Sequence, residues 1–186
     1  MTGRSIVSCT TLALGLSLAG ATAALAQSAP IEEVRAGVLA HSVEPSNAES
    51  GADLNVEALF RRSTPSSGDG SLLAQALRPR VHLGASVNTI GETSQLYSGL
   101  TWDAKLMPRL RLELTLGGAL HNGPAGDGFP DSYGCALNFR ESASLGYAID
   151  DTWTVYGTVA HMSNANLCDQ NSGITSAGMR LGYKLK

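Results

Sequence analysis

Over most of its length the chain alternates apolar and polar residues with a period of two, a pattern that suits β-strands with two unlike faces. From Leu110 to Leu120 the even positions are Leu110, Leu112, Leu114, Leu116, Gly118 and Leu120, while Arg111, Glu113 and Thr115 occupy odd ones. Residues 53–61 set Leu54, Val56, Ala58 and Phe60 against Asp53, Asn55, Glu57 and Arg61. Residues 80–88 and 96–105 repeat the pattern, and 34–41 follow it with Leu39 out of phase. Residues 139–149, 152–163 and 174–185 complete the set, and no window has a helical period. The expectation is an all-β chain of eight antiparallel strands.

The connections point to a barrel that spans a membrane. Short links are expected near Pro108 and at Asp150-Asp151, and longer ones, rich in Gly, Asn, Pro and Ser, at 44–52, 121–134 and 164–173. Outer-membrane barrels have short periplasmic turns and long external loops. That puts both termini on the periplasmic side, although a long 62–76 link breaks the alternation. A soluble barrel also alternates, with its apolar face inside. Here the polar face carries charges of both signs, as a filled polar lumen requires. Trp102, Tyr147, Trp153 and Tyr183 share the apolar face at the expected periplasmic end, as an interfacial girdle would. The expected fold is therefore an eight-stranded transmembrane β-barrel, with an exported soluble lipid-binding barrel as its rival.

Export agrees with this. Residues 1–26 carry one charge, Arg4, then an apolar run through Leu12, Leu14, Leu16 and Leu18, and end on Ala24-Leu25-Ala26. This reads as a cleaved signal peptide, which would also remove Cys9, leaving one domain over 27–186. With 13 basic and 16 acidic residues the chain has a net charge of −3, which argues against a nucleic-acid partner. In an oxidising compartment Cys135 and Cys168 read as one disulfide, both falling at the external end; the other reading is two buried thiols. Closing so long a loop would stabilise by about 3–4 kcal/mol in the chain-entropy model.

The chemistry concentrates at the end of the seventh strand, His161-Met162-Ser163-Asn164. Residues two apart share a strand face, so His161 and Ser163 lie side by side on the face expected to touch lipid. An imidazole there is costly without a purpose, and a His base beside a Ser hydroxyl is the minimum for covalent acyl transfer. Asn164 and Asn171 flank the pair and could orient it or donate to an oxyanion. The bland alternative is a polar strand end in the headgroup zone. His41, His82 and His121 lie on polar positions and suit interior or loop hydrogen bonding. No metal-ligand spacing or phosphate loop is present, so no cofactor is expected.

His161-Met162-Ser163-Asn164-Ala165, followed by Asn171-Ser172-Gly173 before the last strand, resembles the H-x-S-N-A…N-x-G signature of lipid A 3-O-deacylases, the PagL-type family. Phe139-Arg140-Glu141 is also similar, so the resemblance spans Phe139 to Lys186 well and the earlier strands loosely. It implies an outer-membrane esterase that removes the 3-O-acyl chain of lipid A without a metal. His161 would be the base, Ser163 the nucleophile, Asn171 and nearby backbone the oxyanion donors, and Phe139 would pack beside the site. The family's acid lies fourteen residues after the His, where this chain has Thr175. Three arrangements stay open. They are a weaker dyad oriented by Thr175, a non-catalytic barrel with a degenerate triad, and Glu141 as a substitute acid. A three-residue turn at 150–152 would set Glu141 opposite His161. The implied partner is lipopolysaccharide in the outer leaflet, and oligomerisation stays open.

Overall fold

The computed structural model describes residues 30–44, 49–62, 78–126 and 131–185. The expected signal peptide, most of the 62–76 link and Lys186 lie outside the described residues. Eight strands follow in chain order: β1 Ile31–Ala40, β2 Ala52–Phe60, β3 Arg80–Asn88, β4 Gln95–Lys105, β5 Leu110–His121, β6 Leu137–Ala148, β7 Trp153–Ser163 and β8 Ile174–Lys184. Each pairs antiparallel with its neighbours, and β1 closes on β8. Closure satisfies the edge strands, which hydrocarbon cannot do.

The alternation becomes two surfaces. Leu54 is 56% exposed and Leu116 54%, whereas Arg35 between its lipid-facing neighbours is 2% exposed and Glu113 0%. The apolar side is outside, as a bilayer demands, and the soluble alternative has the opposite sense. Inside, Arg35 donates to Glu113 at 2.7 Å and to Glu33 at 2.9 Å. Arg180 pairs with Glu57 at 3.1 Å. The Arg35 guanidinium also lies 4.1 Å from the centroid of the Tyr156 ring. These buried charges survive because they find opposite charge and hydrogen bonds.

Leu39, out of phase in sequence, keeps its strand's parity and points into the lumen. Near the external end the lumen holds an apolar cluster that includes Tyr97, Ala119, Tyr133, Met162 and Ile174. Met162, between His161 and Ser163, is thus an inward knob that leaves its two neighbours facing out. At the other end Trp153 and Tyr183 pack edge to face, with centroids 4.7 Å apart, on the expected girdle. Cys135 and Cys168 form a disulfide between the β5–β6 and β7–β8 loops, with Cα atoms 5.9 Å apart.

Candidate active site

Strand β7 alternates in burial up to its last residue: Ala160 and Met162 are buried, while His161 and Ser163 are part-exposed on the outer wall. The sequence motif therefore projects laterally, at the end away from the aromatic girdle. Across β6, Ser163 stands opposite Phe139 and His161 opposite Glu141. This is the register of the three-residue turn, where Ile149 N–H bonds Trp153 O at 2.9 Å. Across β8, His161 stands opposite Thr175.

One imidazole nitrogen is held. His161 Nδ1 lies 2.8 Å from Thr175 Oγ1 and 3.5 Å from a carboxylate oxygen of Glu44, and Thr175 Oγ1 also hydrogen-bonds Glu44. Glu44 arrives because β1 neighbours β8 and the chain leaving β1 continues along it, with Val43 N–H donating to Thr175 O at 2.9 Å. Sequence reasoning missed Glu44. It sits at the start of a polar loop with no periodicity, and only closure of the barrel brings it to a site over a hundred residues away. Glu141 faces outward across from His161, yet the contacts at Nδ1 come from Thr175 and Glu44.

The other side of the imidazole meets backbone. Gly173 has φ +51°, and a Cβ there would stand 3.1 Å from His161 Cε1 and 3.5 Å from Nε2. Glycine suits both the left-handed backbone, which costs other side chains more, and this close approach.

The asparagines brace the loops. Asn164 continues the inward parity of β7 and is buried. Its side-chain N–H groups donate to Tyr133 O at 2.8 Å and to Gln170 O, and its backbone N–H donates to Asn171 Oδ1 at 2.8 Å. Asn164 thus orients the external loops with its donors engaged. Asn171 Nδ2 makes a longer, exposed bond of 3.3 Å to Asn166 Oδ1. The disulfide pins the same two loops. Ala165 and Asn166, just after the motif, both hold left-handed backbone, with φ of 54° and 60°.

Beside Ser163 the wall has an apolar groove of about 360 Å³, lined by Gly118, Leu137, Phe139 and Leu167 among others. Gly118 pairs with Phe139, and Phe139 with Ser163, so one cross-strand row runs from the groove to the hydroxyl. Among the described residues no group of three or more His, Cys, Asp or Glu side chains is arranged to hold a metal.

The model of the lipid A 3-O-deacylase family, PagL, matches residues 51–184, which is most of the chain. The chain belongs to the lipid A 3-O-deacylase family. Family and fold together make it a bacterial outer-membrane barrel whose surroundings are the lipid A-bearing membrane. The crystal structure of the outer membrane enzyme PagL is similar over 82% of this chain and 99% of that one, with 18% identity and a TM-score of 0.55. Neisserial surface protein A is similar over 82% and 96%, with 10% identity and a TM-score of 0.55. A de novo designed transmembrane β-barrel is similar over 84% and 96%, with 12% identity and a TM-score of 0.52. These likenesses concern the fold. No individually curated protein sequence matches the chain.

Proposed function

We propose that the chain is an outer-membrane serine esterase that hydrolyses the ester-linked 3-O-acyl chain of lipid A, with Ser163 as nucleophile and His161 as base. The observation that carries this reading is the outward projection of His161 and Ser163 at one end of a lipid-facing wall, with His161 Nδ1 held from behind. Substrate would arrive sideways through the outer leaflet.

In this reading His161 Nε2 removes the Ser163 proton as the hydroxyl attacks the ester carbonyl. Asn171 Nδ2 and neighbouring backbone donate to the oxyanion, which concentrates stabilisation where charge develops. Collapse expels the sugar alkoxide, which takes the proton from His161. Water then attacks the acyl-enzyme with His161 again as base, and a fatty acid leaves. The groove at Gly118 and Phe139 offers the departing chain an apolar bed. Glu141, across from His161, remains a candidate orienting acid on its register alone.

A barrel that keeps the fold without turnover has one observation in its favour, Thr175 where the family carries its acid. The two readings separate in a purified assay of fatty-acid release from lipid A in detergent micelles. Ser163→Ala and His161→Ala should each lower kcat by at least about 10³-fold while the barrel stays folded. Equal release by wild type and both variants would refute the esterase reading.

A further inference from the structure

We propose that Glu44, on the loop after β1, is the positioning carboxylate of this site, acting on His161 through the hydroxyl of Thr175 and by direct charge. The inference rests on the esterase reading for its catalytic meaning, but its physical content, the state of the His161 ring, can be measured without turnover.

The number of hydrogens at this junction fixes who donates. Thr175 has one hydroxyl hydrogen and lies between two partners, His161 Nδ1 at 2.8 Å and the Glu44 carboxylate. An ionised carboxylate only accepts, so the Thr175 hydrogen goes to Glu44. The contact at Nδ1 then requires the imidazole to donate. The proton therefore sits on Nδ1, and Nε2 keeps its lone pair for the serine. Without Glu44 the Thr175 hydroxyl is free to donate to Nδ1, which moves the ring proton to Nε2 and removes the base. The hydroxyl acts as a spacer that transmits the polarity of a carboxylate it does not itself possess.

Charge adds a second effect. The Glu44 oxygen 3.5 Å from Nδ1 attracts the imidazolium that forms during attack, and both side chains are 33% exposed, so the attraction is screened but not lost. The other groups facing the ring are Glu141 from β6, Thr175 from β8 and Gly173 from the β7–β8 loop. Arg140 lies on the inner side of β6 and lines the same small interior space as the back of His161. Glu44 is the carboxylate that also contacts the hydroxyl at Nδ1, which separates its role from that of Glu141.

The test uses the full-length barrel in detergent micelles, with Glu44→Ala, Glu44→Gln and Glu44→Ala combined with Thr175→Glu. Glu44→Ala should lower kcat by about 10²- to 10⁴-fold with little change in KM. Glu44→Gln keeps an acceptor for Thr175 without the charge, so it should lose less than Glu44→Ala. The double variant places a carboxylate at Nδ1 directly and should recover at least tenfold of the loss. In parallel, ¹⁵N NMR of the His161 ring should report the Nδ1–H form in wild type and a changed tautomer in Glu44→Ala.

Unchanged kcat and an unchanged ring spectrum in Glu44→Ala would overturn the inference. So would a kcat loss with no change of ring tautomer and no rescue by Thr175→Glu. If wild type releases no fatty acid but the ring spectrum responds to Glu44→Ala, the positioning role stands and the esterase reading falls.

Discussion

The His161 ring is held at Nδ1 by Thr175 with Glu44, and a side chain added at Gly173 would press on its other side. Adding a methyl group at Gly173 tests that side. Gly173→Ala must hold a left-handed backbone, at a cost of about 1–2 kcal/mol, and must push against a ring atom 3.1 Å away. Since about 1 Å of misplacement can cost about 10²-fold, a kcat loss of about 10- to 100-fold is expected in a barrel that still folds. Turnover assays with a gel-mobility check of folding measure it; an unimpaired Gly173→Ala enzyme would mean that the ring has room to move. His161, Ser163, Thr175 and Phe139 were legible because strand parity places them without knowledge of the rest. Glu44 was not, since a loop residue carries no period and its contact exists only once β1 meets β8. The engaged donors of Asn164 were also hidden, because they depend on loop carbonyls at Tyr133 and Gln170.

Each strand has one face for lipid and one for the lumen, so the same kind of substitution has opposite costs two atoms apart. Leu114, near the middle of β5, is outward, whereas Glu113 beside it is fully buried among arginines. Leu114→Arg should cost about 2–4 kcal/mol of stability at the bilayer midplane, and less if placed toward either end of the strand. Reversible urea unfolding in lipid vesicles reads this directly; a neutral Leu114→Arg would contradict the assigned lipid face. The elements were the most readable part of the chain, because eight alternating segments and their parity survive any uncertainty in their ends. Leu39 and Met162 break the simple rule of polar lumen residues. Met162 belongs to an apolar cluster at the external end that forms from several strands and so has no local sequence signal.

Across the whole molecule, buried charge in the lumen and loop anchoring at the external end support the site on the outer wall. His41, just past β1, is buried between Asp53 at 2.6 Å and Glu49 at 2.7 Å. Burial alone would lower its pKa, but hydrogen bonds that the ring donates to the Asp53 and Glu49 carboxylates, with their charge, outweigh it and raise the pKa from 6.5 to about 9. The stability it contributes is fully present below about pH 6.5 and is lost as pH rises through about 9. Thermal midpoints should therefore fall across that window in wild type and less so in His41→Gln; identical pH profiles would contradict the anchoring role. The same loop carries Glu44, so this clamp and the site share one segment of chain. The claim at the centre of the account is that a serine on the barrel's outer wall cleaves a membrane ester, and mass spectrometry of lipid A from cells expressing wild type or Ser163→Ala tests it most directly. The account predicts loss of one 3-hydroxyacyl group with wild type and intact lipid A with the variant. Intact lipid A in both, in a membrane that carries the 3-O-acyl chain, would contradict it.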